Sequence, residues 1–320
     1  MLRDSVVNSL KQMQGSLNLS RLRALVHARG LTPASWIPEA SEGRSEEASI
    51  RPARLEEDPT LTIRDVGAAQ PWEGPVAFLD GTQRYDIVAH HGVAPLVIST
   101  ISAAVRERKE RRLTTATHRR RTLAVGRPEV LRAAGDALDG LDQVALDDDE
   151  PVHPVKDLTA VRRAVDRERG RLEIEVGDAY HRPAGGWLVV DGSLTASPAW
   201  AGDSRTIGIV KSHSILPFSG QDLERYLQLP CGSRSSVFAP VSSQVAPVFS
   251  WALRLWPWEG HDVFYGLIRV EAAPTRETVW LADQVSRWLM AERAPLSAPD
   301  ARWDRLLYGV HDVEVFLRSV

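Results

Sequence analysis

The chain has 320 residues, 43% of them hydrophobic and 25% charged. This is ordinary usage for a protein that builds a core, and enough length for one large or two modest domains. Its 39 basic and 42 acidic side chains sum to −3, which excludes a uniformly basic nucleic-acid coat protein but leaves room for a local basic groove. The single cysteine, Cys231, excludes an internal disulfide and a multi-thiolate zinc site. With no apolar run near the roughly 18 residues of a spanning helix and no signal-peptide core at the N-terminus, the expectation is a cytoplasmic protein that does not enter a membrane.

Along the chain, Val6, Leu10, Met13, Leu17, Leu19, Leu22 and Leu25 form an approximate helical stripe that Gly30 would stop. Residues 33–70 carry Pro33, Pro38, Pro52 and Pro59 among many glutamates with no periodicity, and read as a linker. The expected division is therefore 1–70, an N-terminal helix and Pro/Glu-rich linker, and 71–320, one folded domain. The run Val76-Ala77-Phe78-Leu79 predicts a buried strand breaking into a turn at Asp80-Gly81-Thr82, and Tyr85 to Ile98 predicts two further strands of a meander. Residues 105–121 hold eight Arg or Lys in seventeen positions, either a DNA-backbone contact or a solvated helix face balanced by Glu107 and Glu110. Asp157 to Glu175 predicts a helix with Leu158, Val161, Val165 and Leu172 on its apolar face. Trp187 to Val190 predicts a second buried strand, ending in Asp191-Gly192-Ser193, and Thr206 to Lys211 a third. Strands are expected within 235–256 and 263–271, a helix from Ala282 to Glu292, and a last helix from Trp303 to Leu317 broken at Gly309.

The sharpest feature is the repeated approach to an aspartate: Leu79-Asp80-Gly81-Thr82 and Val190-Asp191-Gly192-Ser193. Asp-Gly is also a common hairpin turn, so each alone reads first as a turn, and only the two together put turn and ligand site on equal footing. A strand that ends in a carboxylate delivers a hard oxygen ligand to a fixed place, suited to Mg²⁺ or Mn²⁺. Two such strands side by side suit the paired-ion hydrolysis of a phosphodiester.

The order Phe78-Leu79-Asp80-Gly81-Thr82, an arginine-rich helix with acidic residues, Leu188-Val189-Val190-Asp191-Gly192-Ser193-Leu194, and Ile207-Gly208-Ile209-Val210-Lys211-Ser212-His213 resembles the NurA nucleases. Leu267-Ile268-Arg269-Val270-Glu271, the helix through Glu292, and Leu307-Tyr308-Gly309-Val310-His311-Asp312-Val313-Glu314 extend the resemblance over about residues 72–320. It implies an α/β, RNase H-like mixed central sheet flanked by helices, with the N-terminal helical segment as an extension. It implies a Mn²⁺- or Mg²⁺-dependent nuclease acting on single-stranded DNA and resecting 5′ ends, a homodimer, and a HerA-type hexameric ATPase as partner in DNA repair or anti-phage defence. Position by position, Asp80 and Asp191 match the strand-end metal aspartates and His311 the late histidine. Glu173 matches the helical glutamate, with Glu168 in reserve. Those two differ by about 500° of helical turn, so at most one faces the metals.

In these roles Asp80 is the central ligand, Asp191 completes or bridges, Glu173 holds a second ion or orients water, and His311 ligates or protonates the leaving 3′ oxygen. Lys211 either neutralises the scissile phosphate or points to water, and His213 is a weaker version of the same choice. Arg269 and Glu271 read as an internal ion pair. Trp251, Trp256, Trp258 and Trp288 either stack on unpaired bases or belong to the core or a dimer interface. The alternative function is a catalytically inactive DNA-binding or assembly subunit on the same fold. A metal-free sugar hydrolase needs two carboxyls across a bond, a fit poorer than a phosphate substrate beside Lys211. No Gly-x-Ser-x-Gly elbow or phosphate-binding P-loop occurs. The apolar stripe of residues 1–30 is expected to meet a partner or a second copy.

Overall fold

The computed structural model describes residues 49–110, 112–147, 151–241, 246–294 and 303–320. The expected N-terminal helix and most of the Pro/Glu-rich segment lie outside these residues. Among them no helix is long and apolar enough to cross a membrane.

The elements run β1 (Ser49–Ile50), β2 (Arg54–Leu55), β3 (Ile63–Asp65), β4 (Val76–His91), β5 (Ala94–Lys109), β6 (Arg112–Gly126), α1 (Pro128–Ala134), β7 (Asp142–Ala145) and α2 (Pro154–Asp178). They continue with β8 (Trp187–Asp191), α3 (Pro198–Gly202), β9 (Thr206–Val210), β10 (Ile215–Leu216), α4 (Gly220–Leu227), β11 (Ser233–Ser235) and β12 (Phe238–Ala239). The last are β13 (Phe249–Arg254), β14 (Leu267–Ala272), α5 (Arg276–Glu292) and α6 (Tyr308–Ser319). One mixed sheet follows the order β2-β12-β13-β14-β9-β8-β4-β5-β6-β7. Counted in chain order, its five central strands lie 3-2-1-4-5: β6, β5, β4, β8, β9. The second of these, β5, is antiparallel to both neighbours, while β4, β8 and β9 are parallel. This is the RNase H-like mixed sheet flanked by helices that the resemblance implies.

Strand alternation sorts the two faces. Ala77, Leu79, Leu188 and Val190 pack with Val161, Val165, Leu172 and Val176 of α2. Val76, Phe78, Trp187 and Val189 pack on the other face with Val285 and Leu289 of α5 and Val310, Val313 and Leu317 of α6. Gly309 does not break the last helix. It is the second residue of α6, and a Cβ there would collide with the Phe78 ring.

Three expectations are corrected. The chain does not turn at Asp80-Gly81-Thr82, because β5 offers an uninterrupted antiparallel partner: Asp80 pairs with Ala104, Gly81 with Ala103 and Thr82 with Ser102. The two segments expected as separate strands are one sixteen-residue strand. The basic run 105–121 is not a helix face but the two arms of the β5–β6 hairpin. Its β-branched Val105, Thr114, Thr115 and Thr117 suit strands, and the arms pair from Val97/Val125 to Lys109/Arg112. Within the expected linker, β2 and β3 join the main sheet through β12 and β11, and Leu61 and Val66 are buried. Glu57 pairs with the fully buried Arg234 at 2.7 Å, so residues from about 54 onward belong to the folded body.

Trp251 and Trp288 are core residues; Trp72, Trp187 and Trp288 form a ring cluster with centroids 5.0–6.2 Å apart. Trp256 and Trp258 are half-buried, and Arg293 stacks over the Trp256 ring at 4.3 Å.

Candidate metal centre

Parallel pairing of β4 and β8 ends at Leu79/Val190, so the next residue on each strand, Asp80 and Asp191, stands where the two strands part. Both belong to the α6 face by alternation with Phe78 and Val189. From α6, Glu314 reaches the same point: one carboxylate oxygen from each of Asp80, Asp191 and Glu314 lies within 4.8 Å of the others. Asp80 is almost fully buried, and its Oδ1 accepts from the Gly81 amide at 2.7 Å. The Asp191 turn is tied down from behind. Glu271 on β14 accepts from Ser193 Oγ at 2.8 Å and from the Leu194 amide at 2.9 Å, and pairs with Arg269 at 2.9 Å. The expected Arg269–Glu271 ion pair is present, and its glutamate anchors the loop that carries Asp191.

Lys211 follows the end of β9. It does not point to water: Nζ donates to Asp191 Oδ2 at 2.8 Å, and its backbone carbonyl accepts from Arg305 at 2.9 Å. Burial works against its ammonium charge, yet Asp191 and Asp80 lift its pKa above the ordinary lysine value. The Asp80 carboxyl is pushed well above the usual aspartate range, first by burial, then by the charges of Asp191 and Glu173, with Lys211 opposing.

Glu173 approaches from the opposite side of the sheet, on α2. It is buried, and burial pushes its carboxyl up to about 7 against the pull of Arg169. It is not one of the three converging carboxylates. It stands beside them in the gap at Gly81, where a Cβ would collide with its carboxylate. Glu168 pairs with Arg171 instead. His311 is one turn before Glu314 on α6; its Nδ1 lies 3.9 Å from Glu314 Oε2, and it too is outside the converging three. His213 stacks on Phe264 with ring centroids 5.1 Å apart, and its Nε2 lies 2.9 Å from the Leu267 carbonyl. Burial lowers its pKa to about 3, which favours the neutral ring.

Glu314 is the carboxylate at this point that the sequence reading did not single out. It closes the His311-Asp312-Val313-Glu314 segment, and its i, i+3 spacing puts it on the same helix face as His311, so that His311 alone does not identify the group that reaches the strands. Most of the basic run is engaged internally. Arg106 pairs with Asp312, Arg108 with Glu292, Lys109 with Glu107, and Arg119 and Arg121 share Glu175.

The donor set is three hard carboxylate oxygens from three elements, one of them buried and raised by its neighbours' charge. That set fits a divalent Mg²⁺ or Mn²⁺, whose charge would relieve the crowding.

Together these features define a mixed α/β protein with an RNase H-like strand order and an acidic cluster where its first and fourth central strands diverge. No protein-family model matches the chain, and no curated protein matches it. Among solved structures it is similar to the NurA nuclease from Sulfolobus solfataricus, with 8% identity and a TM-score of 0.45 over 78% of this chain and 80% of that one. A likeness at that level bears no weight for the chemistry, which rests on the site itself.

Proposed function

We propose that the chain is a divalent-metal-dependent nuclease that hydrolyses phosphodiester bonds in DNA. One observation carries the reading: the carboxylates of Asp80, Asp191 and Glu314 converge within 4.8 Å, with Lys211 bonded to the aspartate at their edge. Three like charges brought together at a partly buried point cost stability unless a cation is held there.

Asp80, Asp191 and Glu314 would hold the ion, and Glu173 stands nearby as the fourth carboxylate for a second. A bound Mg²⁺ or Mn²⁺ supplies positive charge that polarises a phosphoryl oxygen and makes an attacking water more acidic. Lys211 gives Asp191 a fixed orientation and adds positive charge where the phosphate's negative charge builds up. Water adds to phosphorus and gives up a proton to solvent, the bond from phosphorus to the 3′ oxygen breaks, and that oxygen takes a proton; His311 is the nearby group of suitable chemistry to donate it.

The polymer and the partners are finer proposals that follow the resemblance of the sequence motifs to the NurA nucleases. They are action on single-stranded DNA and 5′ ends, a HerA-type hexameric ATPase to feed substrate, a homodimer, and service in repair or anti-phage defence. The presence of all three carboxylates supports an enzyme over an inactive assembly subunit. The test is cleavage of end-labelled single- and double-stranded DNA in Mn²⁺, Mg²⁺ or EDTA, with and without a ring ATPase. Cutting that EDTA stops and Asp80→Asn lacks is the expected result. Folded protein that leaves every substrate intact in both ions, with the ATPase present, sinks the reading.

A further inference from the structure

α2 lies along β4 in a fixed register. Gly81 faces Glu173 and Arg169, Gln83 donates to Asp166 at 2.7 Å, and Arg162 sits over the Tyr85 ring at 5.8 Å. Alternate strand residues meet helix residues three and four apart, which is how two such elements mesh. The rung at Gly81 is the one beside the metal centre. There the Arg169 Nη1 donates both to Glu173 Oε1 and, at 3.4 Å, to the Gly81 carbonyl. The missing Cβ of Gly81 makes the space that Glu173 occupies.

The two halves of this pair differ in reach. The Glu173 side chain is 11% exposed and the Arg169 side chain 29%. Solvent, or a phosphate in it, meets the arginine first. Arg169 also lies within electrostatic range of Asp80, Asp166 and Asp191. It is therefore a cation at the rim of an acidic cluster, held there by Glu173.

Granting the metal-dependent reading above, we infer that Arg169 is a positioning residue that couples substrate to the metal centre. Without nucleic acid, it draws Glu173 toward the Gly81 backbone and away from the Asp80–Asp191–Glu314 group. A substrate phosphate, which a guanidinium binds in two-pronged fashion, competes for Arg169 and frees Glu173 to join the group. No bond is made or broken in this exchange; one ion pair replaces another. α2 itself does not move, because the Gln83–Asp166 rung keeps it in register.

The inference has a signature that a purely structural ion pair lacks. Removing a cation from the rim of an anionic site tightens the binding of another cation, while removing a phosphate contact weakens the binding of DNA. Loosening of the fold weakens both. The experiment measures free Mn²⁺ by electron paramagnetic resonance during titration of DNA-free wild type, Arg169→Gln and Arg169→Lys. It is combined with the KM for a single-stranded oligonucleotide and a melting curve for each. Arg169→Gln is expected to bind Mn²⁺ about tenfold tighter and to raise KM several-fold, with Arg169→Lys between it and wild type. Unchanged or weaker Mn²⁺ binding in Arg169→Gln overturns the inference while leaving the metal centre standing. A wild type that binds no Mn²⁺ removes the metal-dependent reading, and this inference with it.

Discussion

Asp80 and Asp191 occupy equivalent places on adjacent parallel strands, one residue past the last paired level, Leu79/Val190, yet only Asp191 ends its strand. β4 continues for eleven residues beyond Asp80 because β5 keeps pairing with it, while β8 stops at Asp191 and the chain swings into the Gly192 turn at φ +137°. The parting of the two strands opens the space into which Glu314 reaches.

Asp80 carries a prediction about stability in the metal-free protein. Its folded pKa is raised by burial and by Asp191 and Glu173. A carboxyl shifted upward favours the fold below its unfolded pKa and loses that contribution as pH rises through its folded value. At neutral pH in EDTA, Asp80→Asn is therefore expected to melt a few degrees higher than wild type. Adding Mn²⁺ should raise the wild-type melting temperature and leave the variant's unmoved. Calorimetry with and without the ion checks both halves.

Glu314 and His311 are separated by the same logic. Glu314→Gln removes one of the three converging oxygens and is expected to lower the cleavage rate by at least about 100-fold, the upper end of what loss of an outer-shell partner costs. His311→Gln should leave Mn²⁺ affinity close to wild type and lower the rate less. The reverse order of effects in a Mn²⁺ titration would assign the ligand to the histidine.

His213 gives a pH dependence away from the acidic cluster. Its pKa falls from 6.5 to about 3 on folding because of burial. A neutral folded histidine that the unfolded chain can protonate contributes stability above about pH 6.5, and loses it as pH falls from there toward 3. The slope is at most about 1.4 kcal/mol per pH unit, reduced by the ring's partial exposure. His213→Gln should show a shallower loss of stability between pH 6.5 and 4 in urea melts. Equal slopes in the two proteins would contradict this.

Glu57 tests whether the segment before residue 70 is part of the body. Its carboxylate pairs with Arg234 through two contacts of 2.7 and 2.9 Å and accepts from the Val237 amide at 2.9 Å. Among the described residues, Glu57→Ala leaves a buried guanidinium with Asp283 as its remaining carboxylate. The expected cost is about 2–3 kcal/mol in chemical denaturation, below the range for a buried pair that loses its sole partner. A change within about 0.5 kcal/mol would mark the segment as peripheral.

Strong local patterns were legible in the sequence. The apolar runs of β4 and β8 and the helical faces of α2 and α5 stand where periodicity puts them, and Asp80 and Asp191 follow from their strands. What was hidden depended on partners far along the chain. The continuation of β4 through Gly81 is decided by β5, and the strand form of the arginine run by cross-strand pairing. The arginines' charges are balanced by Asp312, Glu292 and Glu175 from other elements. The choice of Glu314 over His311 needs the rotation of α6 about its axis, which Gly309 sets by letting the helix close on Phe78.

The most direct test of the central claim is Mn²⁺ anomalous scattering from crystals of the wild-type protein grown with the ion. The expected result is a peak about 2.0–2.3 Å from oxygens of Asp80, Asp191 and Glu314, the usual range for hard divalent ions on carboxylates, and its loss in Asp80→Asn. Saturating Mn²⁺ with no peak at that point, or a peak held by other residues, would contradict it.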